Sequence, residues 1–291
     1  MRFARAAIVL GFLLIAGPVA AWGPISHQVF GCRALAAHDA SCFETPSRRS
    51  FVVGQSAPDA FKLNLEDGRL LHRFDYATFQ LRYAESHPEA SSPKFDALAY
   101  SRGFGAHLAQ DYVGHRPNGY LPDRVGATKD HLHEFATDTF LANSFPGGYR
   151  SQYFSDLGDS AVRFSHASIQ AYGQQIDQTG LANATHQDVA KAMVRFDRLE
   201  MGEQAATRLN PLYEREMTAL DPDGASSFSE AQDHLERAAA CSIEAGHIWQ
   251  QSLRDPTLSA AAGTRAVQVA VKALFDEKRC QAQSTQEPKF P

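Results

Sequence analysis

The chain has 291 residues, a formal charge of −5, 44% hydrophobic and 21% charged residues, 20 Gly and 14 Pro. This composition excludes collagen-like, low-complexity and wholly disordered proteins, because it supplies enough apolar side chain for an ordinary core. The chain has no basic run beyond its first residues, so we expect no stable nucleic-acid binding. Twelve His beside only two Trp direct attention to metal sites, since histidine is the commonest metal ligand.

Residues 1–21 have the features of a secretory signal peptide. Two arginines precede an apolar stretch of about a dozen residues, and small residues stand before Trp22. That stretch is shorter than the ~20 residues that a membrane helix needs, and no other stretch could span a bilayer. We therefore expect cleavage near Ala21, a secreted or periplasmic protein and no transmembrane segment. Cleavage would leave Trp22 with a free amino group that can chelate a metal ion together with its carbonyl oxygen.

No Pro/Gly/Ser-rich linker divides the interior, so one domain is predicted over residues 22–280, followed by a disordered polar tail over 281–291. We expect loops at 86–93, 116–129 and 145–148, where Pro, Gly and Ser cluster or apolar periodicity is absent. Alternation of apolar and polar residues at strand spacing is nearly missing. The fold class predicted is therefore all-α, a single-domain helical bundle, and we expect a monomer.

Apolar residues in the second half of the chain recur at helical spacing, which predicts helices with one buried stripe. One more helix is expected after the breaker run at 221–224, with Ser227 or Ser229 as its N-cap. The apolar positions that carry these three helices are Val189, Met193, Phe196 and Leu199, then Leu235, Ala239 and Ile243, and finally Val267, Val271 and Leu274.

Four cysteines in an exported chain are an even number, which predicts two disulfides. The sequence-local pairing joins Cys32 to Cys42 and Cys241 to Cys280, and it is one of three possible pairings. A cysteine-based zinc site is disfavoured, because no C-x-x-C spacing exists and the compartment is oxidising.

The densest chemical signal is a run in which His107, Asp111 and His115 stand four residues apart. On a helix these side chains fall within about 80° of arc, so they face the same way. Imidazole and carboxylate groups directed at one point are the ligands that zinc prefers. A buried polar helix face with satisfied hydrogen bonds is the alternative for this triplet alone.

Further candidate ligands lie on both sides of that helix. Upstream, His27 comes five residues after the expected new N-terminus, Asp59 follows a proline turn, and His72 comes 13 residues later. Downstream, the segment 130–138 contains five possible ligands. Within it, Asp130 and Glu134 at i,i+4, and His131 and Glu134 at i,i+3, share a helix face. The aromatic residues beside these ligands, Phe61, Phe74 and Tyr76, are interpreted as core in preference to a contact for a lipid headgroup.

This order of residues, from Trp22 to about Asp138, resembles the zinc-dependent phospholipase C family. That family is related to the N-terminal domain of glycosylphosphatidylinositol-specific phospholipase D and, more distantly, to single-strand-specific zinc nucleases. The resemblance implies a helical bundle of the zinc-dependent phospholipase C type that binds two to three zinc ions. It also implies a hydrolase acting on phospholipid at a membrane surface.

Ligand sets follow from the resemblance. It implies that the amino and carbonyl groups of Trp22, with His27 and Asp111, hold one zinc ion. It implies a second zinc ion held by Asp59, His72, His107 and Asp111, with Asp111 as the bridge and Asp59 also orienting or deprotonating the attacking water. A third site would begin at His115, with Glu134 as its favoured ligand and Asp130 and His131 as competing partners.

Two features depart from the pattern of the secreted bacterial members. They place more residues between the aspartate and the second histidine of the helix motif than the three found here, Tyr112, Val113 and Gly114. The shorter spacing is more similar to that of the phospholipase D relatives. The His-x-x-x-Glu pair that completes the third site is replaced here by Asp130 and Glu134, which makes two zinc ions the firmer expectation.

The sequence thus predicts an exported zinc-dependent phosphodiesterase, of phospholipase C type, with a zinc-activated water. One alternative keeps the metal ions but changes the substrate to single-stranded nucleic acid. The other is a non-catalytic helical metal-binding surface protein. Contact with lipid is expected through loops of the catalytic domain.

Overall fold

The computed structural model describes residues 22–37, 40–114, 127–145, 148–221 and 224–253, with the single residues 265 and 269; of residues 127–131 only the backbone is described. Several predictions concern residues outside these ranges: the signal peptide, the tail 281–291 and His115. The predicted helix containing Val267, Val271 and Leu274 is also outside them, since only position 269 in that stretch is described. None of the described helices has both the length and the apolarity needed to cross a bilayer.

The prediction of an all-α fold is confirmed for the described residues, in which an isolated bridge between Ser92 and Phe95 is the only β pairing. Their twelve α-helices are α1 Pro24–Ala34, α2 Pro46–Gly54, α3 Ala57–Asn64, α4 Phe74–Ser86, α5 Ala97–Gly114, α6 Ala127–Ser144, α7 Phe154–Leu157, α8 Asp159–Gln175, α9 Thr179–Ala182, α10 His186–Thr207, α11 Tyr213–Leu220 and α12 Phe228–Ser252. Short 3₁₀ helices occupy Ala40–Phe43, Gly68–Leu70 and Pro88–Ala90.

Helix α5 lies at the centre of the bundle, with fourteen of its eighteen residues buried. It packs against α2, α4 and α12. Glycines allow the close approach to α2, because a Cβ on Gly54 would lie 2.3 Å from the carbonyl oxygen of Tyr100, and one on Gly103 would lie 2.0 Å from that of Phe51. This approach brings the C-terminal end of α2 against the N-terminal half of α5.

The predicted apolar stripes form part of the core. Val189, Met193 and Phe196 of α10 are buried, whereas Leu199 is only partly buried. Helix α12 begins as predicted, with the hydroxyl of Ser227 accepting a hydrogen bond from the backbone N–H of Glu230. The aromatic side chains interpreted as core, Phe61, Phe74 and Tyr76, are indeed buried in it.

The loop predicted at 116–129 is wrong at its end, because α6 already begins at Ala127. The polar residues of this first turn carry no apolar periodicity, so no sequence pattern indicated a helix there. The predicted disulfide between Cys32 and Cys42 is confirmed, with a Cα–Cα distance of 5.1 Å. Cys241 is also disulfide-bonded, and its predicted partner Cys280 lies outside the described residues.

Candidate metal centre

The central helix α5 supplies two side chains to the site. His107 and Asp111 stand one turn apart on the same face, as the spacing predicts, and their exposed fractions are 0% and 6%. Their closest atoms, Nε2 of His107 and Oδ2 of Asp111, are 3.3 Å apart. Helix α5 ends at Gly114 in the described residues, so the third member of the predicted triplet cannot be placed.

Helix α1 brings His27 to the same point, although 80 residues separate it from His107. The Nε2 atom of His27 lies 3.1 Å from Oδ1 of Asp111. The rings of His27 and His107 are stacked, with centroids 3.8 Å apart. His27 itself is fully buried.

The remaining two donors come from the segment between α2 and α4. Asp59 lies in the first turn of α3, after Pro58, where the partial positive charge of the helix N-terminus favours a carboxylate. His72 follows the 3₁₀ helix Gly68–Leu70 and precedes α4. Its side chain is 16% exposed, whereas Asp59 is 1% exposed, so the site opens on the His72 side.

Three of these donors, Asp59, His72 and His107, have the spacing of ligands around one cation, and Asp111 lies beside the two histidines. Nε2 of His72 lies 3.1 Å from Nε2 of His107 and 3.1 Å from Oδ2 of Asp111. Oδ1 of Asp59 lies 3.4 Å from Nε2 of His72 and 3.9 Å from that of His107. Tetrahedral zinc with ligands at ~2.1 Å separates neighbouring ligand atoms by about 3.4 Å.

Several buried donor atoms lack hydrogen bonds, which supports their assignment as metal ligands. Within the described part of the chain, Nε2 of His27, Oδ1 of Asp59 and both carboxylate oxygens of Asp111 are buried and have no hydrogen-bond partner. Nε2 of His27 and Oδ1 of Asp111 therefore lie close together without bonding to each other. Such atoms are rare in folded proteins unless an ion or water satisfies them, and the donor set of imidazole and carboxylate fits zinc.

The described donors form two overlapping groups, one of His27, His107 and Asp111 and one of Asp59, His72 and His107. The two oxygens of Asp111 face different imidazoles. Oδ1 lies toward His27, and Oδ2 lies toward both His72 and His107. This arrangement fits the carboxylate bridge between two ions that the resemblance implies. His107 is placed close to both groups.

The pKa values report a strongly negative pocket. Burial alone would lower the pKa of His72, but the carboxylates of Asp111 and Asp59 raise it to about 9. Burial would raise the pKa of Asp59, yet the neighbouring His107 and His72 hold it well below its usual range. Burial lowers the pKa of His107 to about 4, which keeps this imidazole in the neutral form that metal binding requires. The two buried carboxylates carry two negative charges, and Lys62 beside Asp59 supplies only one positive charge. This imbalance favours the uptake of metal ions.

A layer of amides behind the ligands was missed by the sequence analysis. Nδ1 of His27 donates to Oε1 of Gln110 at 2.7 Å, and Nε2 of Gln110 donates to Oε1 of Gln55 at 2.6 Å. The close packing of α2 on α5 makes the second contact possible. Metal-ligating histidines almost always have such a partner on the other nitrogen, which fixes the tautomer. The available signal was a glutamine next to Asp111 on the ligand helix.

Helix α1 is held in place at its N-terminus by Asp138 of α6. This carboxylate accepts hydrogen bonds from the backbone N–H groups of Ile25 and Ser26, at 3.2 and 2.9 Å, and from the Ser26 hydroxyl. Asp138 is thus a helix cap, although the sequence analysis counted it among the possible ligands in its segment. Trp22 is fully buried, and its indole Nε1 donates to the backbone oxygen of Gln110 at 3.0 Å.

The predicted third site is only partly described. Glu134 is on α6, as predicted, and is 6% exposed, but neither of the two donor groups includes it. The side chains of Asp130 and His131 and the whole of His115 lie outside the description, so the choice between Asp130 and His131 stays open.

Comparison of the chain with family models, with curated proteins and with solved structures gives no match. The likeness to zinc-dependent phospholipases C therefore rests on this chain's own residues.

Proposed function

We propose that this protein is an exported zinc-dependent phosphodiesterase of phospholipase C type, which hydrolyses the headgroup phosphodiester of phospholipids. The observation that carries the proposal is the position of Asp111. Its two oxygens face separate imidazoles, 3.1 Å from Nε2 of His27 on one side and 3.1 Å from Nε2 of His72 on the other. A buried carboxylate in this position suits a pair of divalent cations.

The residues that would hold zinc are Asp59, His72, His107 and Asp111 in one group and His27 and Asp111 in the other, with the amino terminus of Trp22 added after cleavage. Bound zinc supplies a water of pKa near ~7 and charge that stabilises the attacking and leaving oxygens of a phosphodiester. The nearly complete burial of the donors excludes bulk water from this chemistry.

Asp59 is the residue proposed to take the proton of the attacking water. Its Oδ1 atom is buried and makes no hydrogen bond within the described part of the chain, so one lone pair would remain on it when the other binds zinc. The low pKa of its carboxyl, which His107 and His72 maintain against burial, keeps it ionised at neutral pH. A base must be ionised and within reach of the proton that it accepts.

Lys62 adds a positive charge at the open side of the site. Its Nζ atom lies 3.8 Å from Oδ1 of Asp59, and its side chain is 21% exposed. Since His72 is the most exposed of the five donors, substrate would enter beside these two residues. The ammonium group could then bind a phosphate oxygen of the incoming substrate, a role that no sequence pattern indicated.

The test is to measure zinc in the purified protein together with the release of phosphorylated headgroup from phosphatidylcholine micelles. We expect at least two zinc ions per chain and headgroup release that a chelator abolishes and zinc restores. Cleavage of denatured DNA without headgroup release would replace the phospholipase by a nuclease. Bound zinc without either activity would leave a non-catalytic metal-binding protein.

A further inference from the structure

Helix α10 carries an exposed face of unusual composition. Between positions 191 and 212, every exposed residue is either basic or apolar, and the acids in this interval, Asp197, Glu200 and Glu203, are buried or partly buried. The basic–apolar face, as we call it, consists of Lys191, Val194, Arg195, Arg198, Met201, Ala205, Arg208, Leu209, Pro211 and Leu212.

The positions from 191 to 209 fall on an arc of about 140° when each residue turns the helix by about 100°. Large apolar side chains of the face stand well out into solvent, with exposed fractions of 46% for Val194 and 55% for Met201 on α10, and of 39% for Leu209 and 54% for Leu212 in the turns after its end. Isolated exposed apolar residues are normal, but several close together along one short stretch of chain indicate a binding surface.

Among the described residues, the four cations of the face have no ion-pair partner within 4 Å, although exposed Asp188, one turn before Lys191, interacts with it at longer range. Lys191, Arg195, Arg198 and Arg208 make no ion pair or hydrogen bond with another described residue. The chain as a whole carries a charge of −5, so an anionic surface would repel most of its exterior and attract this face. The helical spacing of the arginines explains why the linear sequence contains no basic run.

We propose that the basic–apolar face of α10 docks the protein on an anionic lipid bilayer, with the arginines at the headgroups and Val194, Met201 and Leu209 in the interfacial region. Helices that lie on membranes combine cations with protruding apolar side chains in this way. A nucleic-acid surface is disfavoured because no aromatic residue is present for stacking. A protein partner is the competing occupant, because interfaces are enriched in Arg and Met, which this face has, but also in aromatic residues, which it lacks.

Helix α10 is a neighbour of the proposed active site. The inner side of α10 packs against α3, the helix that carries Asp59 and Lys62. From the same inner side, Glu200 accepts a hydrogen bond from Gln28, the residue after His27, at 2.6 Å. The inference extends the proposed function from substrate to membrane partner, but binding is measured without hydrolysis, so the two can fail separately.

The experiment is co-sedimentation of the purified, zinc-loaded full chain with vesicles of phosphatidylcholine alone or with about 30% phosphatidylserine, at about 0.1 M salt. Incubation is in the cold, and a phosphate assay verifies that the lipid is intact. Arg195→Gln with Arg198→Gln removes two charges from the face. Arg102→Gln with Arg237→Gln removes two exposed arginines elsewhere and is the matched control.

We expect binding to anionic vesicles, weakened ~25-fold in the face variant, since each basic residue near such a surface contributes about fivefold. The control variant should bind within about twofold of the parent chain, because its charges lie off the face. Equal losses in both variants, or no preference for anionic over neutral vesicles, would overturn the proposal while leaving headgroup release from micelles unaffected.

A second variant separates insertion into lipid from simple charge attraction. Met201→Asn with Leu209→Asn keeps all four cations and changes only exposed apolar side chains, so circular dichroism should show an unchanged fold. We expect at least ~10-fold weaker vesicle binding. Unchanged vesicle binding in this variant, or parent binding to a single-stranded oligonucleotide or an acidic peptide but not to vesicles, would refute docking on a bilayer.

Discussion

Gln110 accepts a hydrogen bond from Nδ1 of His27 at 2.7 Å, and this contact decides which nitrogen of the imidazole faces Asp111. With Nδ1 carrying the proton, Nε2 keeps its lone pair and points toward Oδ1 of Asp111, 3.1 Å away. The orientation of Gln110 is itself set, because its Nε2 donates to Oε1 of Gln55. The tautomer of His27 is thus fixed by two successive glutamine side chains, Gln110 and then Gln55.

Gln110→Leu should lower zinc affinity by about 10–100-fold, the usual cost of removing such an outer partner. The leucine fills a similar volume but leaves Nδ1 of His27 without an acceptor in a buried place. Zinc affinity is measured by competition with a coloured chelator. Gln170→Leu is the control, since the side-chain amide of Gln170 likewise makes a hydrogen bond, to the backbone oxygen of Ala184, but lies away from the site. Equal affinities in the two variants would contradict the role of Gln110.

Asp111→Asn should reduce the zinc bound at both proposed positions, because one oxygen of its carboxylate faces His27 and the other faces His72 and His107. His27→Ala should reduce it at one group only, since its Nε2 contacts Asp111 alone among the acids. Metal analysis of the dialysed proteins distinguishes the two results. Asp233→Asn, a change at an exposed aspartate of α12, should leave the zinc content unchanged. An Asp111→Asn protein that keeps two zinc ions would rule out the bridge.

The sequence predicted the cluster of candidate ligands better than it predicted the residues that support it. Spacing alone placed His107 and Asp111 on one helix face, because helical geometry is local. The arrival of His27, Asp59 and His72 at that face depends on tertiary packing, and only the family resemblance anticipated it. Asp138 was counted with the possible ligands because a carboxylate's chemistry does not reveal whether it faces a metal or a helix N-terminus.

Two other features of the molecule could not be predicted from local sequence patterns. The amide pair of Gln55 and Gln110 forms only because Gly54 and Gly103 let two helices approach closely, and nothing in the linear order pairs these helices. The basic–apolar face of α10 is visible only once the buried side of that helix is known.

Lys62→Gln should raise the KM for phospholipid with a smaller effect on kcat, lowering kcat/KM by about tenfold. The reason is the loss of one charged hydrogen bond to phosphate, worth ~1.5 kcal/mol. Steady-state kinetics of headgroup release measure both constants. Lys94→Gln, at an exposed lysine far along the chain, is the control. A Lys62→Gln enzyme with parental KM would show that substrate does not contact this ammonium group.

An extra Met before Trp22, left untrimmed, should abolish most activity while the helices stay folded. Trp22 is fully buried against Gln110, so the proposed free amine has a fixed place that a preceding residue would occupy. Headgroup release, circular dichroism and mass spectrometry of the N-terminus provide the measurement. The same single-residue extension after Pro291 should be harmless. Full activity of the intact extended chain would exclude the amino group as a ligand.

Glu200 should make the protein less stable as the pH rises. Burial and the nearby charges of Asp197 and Asp138 raise its pKa well above the usual value, so the folded chain retains a proton that the unfolded chain has lost. Unfolding then releases a proton, and each pH unit between the two pKa values costs up to ~1.4 kcal/mol of stability. The cost begins above the unfolded pKa and is complete above the folded one.

Glu200→Gln should therefore be more stable than the parent chain at pH 8, with the difference shrinking toward pH 5. The substitution keeps an oxygen to accept the hydrogen bond from Gln28 and removes the buried charge. Urea unfolding of both proteins in chelator, at several pH values, isolates the contribution of this group from that of the metal. Glu89→Gln, at an exposed glutamate, should differ from the parent chain in unfolding free energy by the same amount at every pH. A Glu200→Gln difference that does not change with pH would mean that Glu200 is ionised in the folded chain throughout this range.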